Sequence, residues 1–233
     1  MTQDEIFAAF EGNQWFARKH AAWQHYDSEA DPPLRLLALY NIHPTQVLEV
    51  GAANGFRVAA LATRYGARAV AVEPSIDAIA DGQRRFPSVE FIRAEAHHLP
   101  LQESFDLLIV NFVLHWIDRR YLLSTLAEID RVLADGGYLL IGDFCPSNPM
   151  KVPYHHLPDA AVYTYKQNYA APFLASGLYQ LVSFLTSDHT SKLTTGTVSE
   201  HERAGIWLLR KQLTENYHER TTSNVSGVRS PTT

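Results

Sequence analysis

Two carboxylates and three histidines in this sequence have the types and spacing to act on a nucleoside-like ligand. Glu49 lies in the aliphatic run Val47-Leu48-Glu49-Val50, directly before Gly51-Ala52-Ala53-Asn54-Gly55. A charge in a run that reads as a strand buried on both faces belongs at that strand's working end. Gly51 permits a tight turn, and the small residues Ala52 and Ala53 let a ligand approach the backbone closely. Glu73 ends a second aliphatic run, Ala69-Val70-Ala71-Val72, some twenty residues beyond the glycines. One carboxylate there accepts hydrogen bonds from both hydroxyls of a ribose diol. His115 and the adjacent His155 and His156 have the titration range of a general base, with an unperturbed pKa of about 6.5.

The elements that must position these groups alternate between strand and helix. After Gly55, Val58, Leu61 and Tyr65 recur at helical spacing until Gly66 stops them. A strand, a glycine turn and a helix N-terminus together form a nucleotide-binding crevice. Ser75 caps a second helix carrying Ile76, Ile79 and Phe86, which must stop before Pro87. Further strands are expected at Val89–Ile92, Leu107–Val110 and Tyr138–Ile141, with a sheet-facing helix through Leu122, Leu126, Ile129 and Leu133 closed by Asp135-Gly136-Gly137. Ahead of this core, residues 4–25 predict one or two amphipathic helices broken near Gly12-Asn13, and Asp31-Pro32-Pro33 opens another. Residues 179–184 and 204–209 predict closing strands, an antiparallel pair at the sheet edge. Residues 145–178, rich in Tyr and His, predict a long irregular insertion that serves as a substrate lid. Residues 1–214 are expected to form one domain, with 1–45 as a helical cap, 46–144 as the cofactor-binding core, and 215–233 as a disordered tail.

Four segments in order resemble the motifs of class I S-adenosylmethionine (SAM) dependent methyltransferases. Glu49, Gly51, Ala53 and Gly55 resemble the acidic residue followed by G-x-G-x-G, with Ala53 at the second glycine. Glu95-Ala96-His97-His98-Leu99-Pro100 resembles D-A-x-x-L-P, with Glu95 in place of Asp. Ser104-Phe105-Asp106 through Leu114-His115-Trp116 resembles F-D-x-V-x-S-x-x-x-L-H-W, and residues 126–141 resemble the following helix, turn and strand. The resemblance implies an α/β, doubly wound, Rossmann-like and mostly parallel seven-stranded sheet with helices on both faces and an antiparallel edge strand. It implies SAM as cofactor, held by Glu49, Gly51, Ala52, Ala53, Gly55, Glu73 with the adjoining Pro74, and Asn111-Phe112 at the topological switch point. Glu95 and the Ala96 N–H would meet the adenine. Trp15, Phe16 and Arg18 resemble the opening segment of such enzymes, where aromatic and Arg side chains contact cofactor or substrate. Tyr154, Tyr163, Tyr165, Lys166 and Tyr169 are expected to line a polar substrate pocket. His155 and His156 are the first candidates for a base, with His115 behind them.

Composition narrows the partners. A net charge of −5 and the lack of a basic groove argue against a nucleic-acid substrate. Cys145 is the only cysteine, which excludes an intramolecular disulfide and a Cys-rich zinc site. His97 and His98 are adjacent, so on an extended segment they point apart, and both read as surface residues with no metal expected. The acidic start MTQDEIF lacks signal-peptide character and no apolar stretch spans a bilayer, so a cytoplasmic setting is expected. The favoured reading is methyl transfer to a small polar acceptor, a sugar or natural-product intermediate, free or carrier-bound. One alternative is an NAD(P)-dependent oxidoreductase or epimerase. The missing G-x-G-x-x-G spacing and the Ala94-Glu95-Ala96…Leu99-Pro100 segment oppose it, as does Val162 where a Tyr-x-x-x-Lys pair with Lys166 needs tyrosine. A non-catalytic SAM-binding partner protein is the other, although its cofactor residues would all be intact.

Overall fold

The computed structural model describes residues 1–189 and 198–217. Its core is a seven-stranded sheet in the spatial order β3-β2-β1-β4-β5-β9-β8. The strands are β1 (Gln46–Val50), β2 (Arg68–Val72), β3 (Val89–Ile92), β4 (Phe105–Asn111), β5 (Leu133–Phe144), β8 (Tyr179–Asp188) and β9 (Arg203–Lys211). β1 to β5 pair in parallel, whereas β9 runs antiparallel to both of its neighbours. The closing pair thus lies at the sheet edge, with each strand longer than its most apolar stretch. Chain order reverses between β1 and β4, which places a crevice beyond their C-terminal ends.

Residue parity explains the layers. Leu48, Val50, Val70, Val72, Leu108 and Val110 face one side with Leu126 and Ile129 of α6 (Leu122–Val132). Val47, Ala69, Ala71, Leu107 and Ile109 face the other with α3 (Pro32–Leu39) and α4 (Phe56–Tyr65). A buried parallel strand must be apolar on both faces, because helices cover both. Glu49 shares the second face with Val47, and therefore meets α4.

Gly55 is left-handed (φ 74°) at the start of α4, and a Cβ there would fall 2.8 Å from the ring of Phe91. Its task is the turn and close helix–sheet packing. The helix α5 (Ile76–Arg85) is capped by Ser75, whose hydroxyl accepts from Ala78 N–H. Ile76 is exposed, so it lies outside the apolar face expected of it.

The N-terminal segment is helical almost throughout: α1 (Gln3–Ile6), a π-helical turn (Phe7–Glu11) and α2 (Gly12–Trp23). Gly12 does not break it. A Cβ at Gly12 would approach Phe7 O to 2.9 Å and Ser75 Cβ to 3.5 Å, and Ser75 Oγ donates to Asn13 Oδ1 at 2.7 Å. Gly12-Asn13 is the point where the cap docks onto the core, which is why small and polar residues stand there.

The segment 145–178 is more ordered than its sequence suggests. It contains an antiparallel hairpin, β6 (Met150–Pro153) with β7 (Tyr163–Lys166), and the short helix α7 (Ala171–Ala175). Tyr154, at the end of β6, hydrogen-bonds to Glu11 and Arg18 of the cap. Of the tail expected to be disordered, 218–233 lie outside the described residues. Among the described residues no helix is long and apolar enough to cross a membrane.

Candidate active site

A cavity of about 940 Å³ opens at the C-terminal ends of β1, β2 and β4 and extends under the cap and the β6–β7 hairpin. That is the upper end of the usual range for a ligand site. Its inner half holds the expected cofactor residues Glu49, Gly51, Ala52, Ala53, Glu73, Pro74, Glu95, Ala96, Asn111 and Phe112. Gly55 lies behind the wall.

Glu49 is buried, and its Oε1 accepts from Arg57 Nη1, while Arg57 also pairs with Asp31 at 3.1 Å. Glu49 Oε2 is equally buried but has no hydrogen-bond donor among the described residues. Burial pushes the Glu49 pKa up to about 7 against the pull of Arg57. Glu73 bridges two loops: Oε2 accepts from Ala53 N–H at 2.9 Å and Oε1 from Ser75 N–H at 2.9 Å. Burial pushes it up to about 7 as well, opposed by those two bonds. Two non-glycine residues beside them are left-handed, Ala53 (φ 51°) and Phe112 (φ 57°). Strain of this kind collects where a binding site dictates the backbone. Gly51 (φ 71°) lies so close to Val113 that a Cβ would come within 2.3 Å of its methyl carbon.

These residues fit SAM. The orphaned oxygen of Glu49 requires a donor, and the α-ammonium of the methionyl part supplies both N–H groups and positive charge. The remaining lone pairs of Glu73 suit the ribose diol. The Glu95 carboxylate and the Ala96 N–H, which has no acceptor among the described residues, suit the adenine edge. Bound there, SAM supplies an activated methyl group on a cationic sulfur.

The outer half brings together Trp15, Arg18, Tyr154, His155, His156 and Lys166. Strand alternation decides which hairpin residues take part. Thr164 and Lys166 line the cavity, while Tyr163 and Tyr165, which alternate with them, do not. Tyr163 pairs through its backbone with the Gln3 side chain, and Tyr165 lies under Arg119, whose guanidinium carbon is 4.4 Å from the ring centre. Tyr169 is fully buried, donating to Tyr165 O and accepting from Arg119. Phe16 is buried against Trp23 and His20. These four expected contact residues therefore stand away from the cavity.

His115 was expected behind the other histidines, but its surroundings are the more organised. It is 2% exposed, and its Nδ1 lies 2.8 Å from Oδ1 of the fully buried Asp143. A carboxylate only accepts, so in the neutral ring Nδ1 carries the proton and Nε2 is left with a lone pair. His155 and His156 are exposed at the rim, with ring centres 3.9 Å apart and no hydrogen bond to hold either among the described residues. Asp143 escaped the sequence reading, yet it stands one residue before the end of β5, as Glu49 and Glu73 stand beside the ends of β1 and β2. A charge closing an aliphatic strand was the available signal.

His97 is not the surface residue that its sequence suggests. It is half-buried, stacked on Tyr121 and set between Asp4 and Glu95, with a ring nitrogen 3.4 Å from each carboxylate. One ligating atom from each of Asp4, Glu95 and His97 falls within 4.8 Å of the others. The cluster ties the cap to the segment that follows β3. His98 is exposed.

Residues 48–141 match the methyltransferase domain family, and the sheet order and the site are compatible with a class I SAM-dependent methyltransferase. The chain is 32% identical over 133 residues to trans-aconitate 2-methyltransferase of Methylobacterium nodulans, covering 56% of this chain and 50% of that protein. It is 33% identical over 122 residues to malonyl-[acyl-carrier protein] O-methyltransferase of Halorhodospira halophila, covering 50% of this chain and 41% of the relative. The match thus spans half or less of these relatives' length. In structure it resembles the 1,6-didemethyltoxoflavin-N1-methyltransferase of Burkholderia thailandensis, crystallised with S-adenosylhomocysteine, with a TM-score of 0.67, 18% identity and coverage of 89% and 88% of the two chains. It also resembles the N-methyltransferase NodS of Bradyrhizobium japonicum, with a TM-score of 0.57, 17% identity and coverage of 85% and 97%.

Proposed function

We propose that this protein transfers the methyl group of SAM to a small polar acceptor, a sugar or natural-product intermediate, free or carrier-bound. The observation that carries the reading is the continuity of one cavity from the carboxylates of β1 and β2 to the polar hairpin face. One half suits the cofactor, and the other leaves an acceptor facing His115, with the hairpin and cap serving as a lid. Methyl transfer asks a protein mainly for alignment, which can account for about 7–11 kcal/mol of barrier. A hydroxyl or amine acceptor must also lose a proton, and His115 Nε2, backed by Asp143, is placed to take it. His155 and His156 would assist from the rim. Relatives named for trans-aconitate and for malonyl-[acyl-carrier protein] are compatible with either a free or a carrier-bound acceptor.

Calorimetric titration with S-adenosylhomocysteine, NAD⁺ and NADP⁺ tests the cofactor half. Saturable binding of the first alone is expected, and binding of a nicotinamide nucleotide instead would redirect the assignment to redox or epimerase chemistry.

A further inference from the structure

We propose that the acceptor is an anion, carrying a carboxylate or phosphate group that Lys166 receives inside the cavity. The inference rests on the methyltransferase reading above and specifies its substrate class.

Lys166 ends β7 on the cavity-facing side of the hairpin and is only 9% exposed. Its ammonium sits 3.9 Å from the centre of the Phe144 ring and donates to His201 O. An ammonium has three donors, so two remain for a ligand. No carboxylate forms an ion pair with it among the described residues. Of the two acids near enough to influence it, Asp143 is committed to His115 and the Phe144 N–H, which leaves Glu202. Burial still holds the lysine pKa below its usual range. Buried charges are ordinarily paired, and this one, with Glu202 near but not in ion-pair contact among the described residues, stands on the wall of a ligand cavity.

The charge pattern of the cavity agrees. Its inner half is lined by Asp4, Glu49, Glu73 and Glu95 against the cation Arg57, an acidic excess that suits a cationic cofactor. In the outer half Glu202 is the acid among the described lining residues, beside Arg18, Lys19 and Lys166. Arg18 spends one nitrogen on Glu11 and Tyr154, and its other donors remain. The neighbouring positive charges of Arg18, His155 and Lys19 add to burial in holding the His156 pKa down.

The position also suits the chemistry. Ring contacts lead from Lys166 through Phe144 to His115, with the Phe144 and His115 centres 5.0 Å apart. An acceptor anchored by its anion at Lys166 lies over Phe144 and presents its next atoms to the histidine.

The test uses the full chain, methyl-labelled SAM and a small-molecule cell extract divided on an anion-exchange resin. Acceptor activity is expected in the retained fraction, and phosphatase treatment of that fraction separates the two sources, since only a phosphate acceptor loses activity. Lys166→Met should raise the acceptor concentration needed for half-maximal transfer at least about ten-fold, the scale of one lost charge-assisted contact. Lys166→Arg should recover part of the loss. A calorimetric titration should show S-adenosylhomocysteine affinity unchanged in both variants, which excludes misfolding as the cause. Acceptor activity confined to the unretained fraction, or wild-type transfer by Lys166→Met, would overturn the proposal. Failure of the wild-type protein to bind S-adenosylhomocysteine would instead count against the methyltransferase reading itself.

Discussion

Asp143 grips His115 at two points: its Oδ1 lies 2.8 Å from the imidazole Nδ1, and its Oδ2 accepts the His115 backbone N–H at 3.2 Å. The first contact fixes the tautomer and the second fixes the turn that carries the ring. For a hydroxyl or amine acceptor, His115→Ala should lower turnover by about 10²–10⁴-fold, the usual worth of a positioned base. Asp143→Asn should share much of that loss by releasing the tautomer. Because His155 and His156 are unanchored, alanine at either should cost less than His115→Ala. Turnover and S-adenosylhomocysteine affinity, measured side by side, check this. Unchanged turnover in His115→Ala would refute the assigned role.

Cofactor binding should strengthen as pH rises through neutrality. Glu49 and Glu73 are both pushed up to about 7 by burial, so near neutrality each is partly protonated in the free protein. A bound ammonium favours the charged form of Glu49, and binding therefore releases protons. The sign for the free protein's stability is opposite. A buried carboxyl with a raised pKa subtracts stability as pH climbs from the ordinary carboxylate range through about 7. Calorimetry at several pH values, in two buffers of different ionisation heat, reads the released protons. The melting-temperature gain on adding S-adenosylhomocysteine should grow over the same interval.

Glu73→Ala should weaken cofactor binding by roughly 1.5–3 kcal/mol, the scale of charge-assisted hydrogen bonds. It should also lower the stability of the free protein, since Ala53 N–H and Ser75 N–H lose their acceptor. Denaturant unfolding with and without S-adenosylhomocysteine separates the two effects. Wild-type affinity in this variant would remove the ribose assignment.

Ala53 offers a test of strain. A left-handed L-residue costs about 1–2 kcal/mol, and glycine returns part of that in unfolded-state entropy. Ala53→Gly should therefore be neutral or stabilising by up to about 1 kcal/mol, and Ala53→Val should destabilise. Equilibrium unfolding midpoints decide it, and a clear loss in the glycine variant would contradict the backbone assigned to this loop.

Much of the cofactor half is written locally. Val47-Leu48 and Ala69–Val72 must be buried strands because they are continuously apolar, and the charges that interrupt or end them must lie where those strands meet a ligand. Glycine and small residues at 51–53 then define the turn without reference to the rest of the chain. The acceptor half depends on packing between distant segments. Nothing local to His115 announces Asp143; the two meet because β4 and β5 are parallel neighbours whose C-terminal ends lie side by side. Glu11, Arg18 and Tyr154 converge because the cap folds back over the hairpin. Gly12-Asn13 reads as a helix break until Ser75 is seen beneath it. Between these cases stands β7. Its alternation puts Lys166 in the cavity and Tyr163 and Tyr165 out of it, a division that period two could have forecast once the segment was known to be a strand. Sequence determined which groups would hold a nucleoside, since strand ends and tight turns are local. Tertiary structure decided which histidine is held and which lysine has no ion pair among the described residues, since both depend on what the rest of the chain brings alongside.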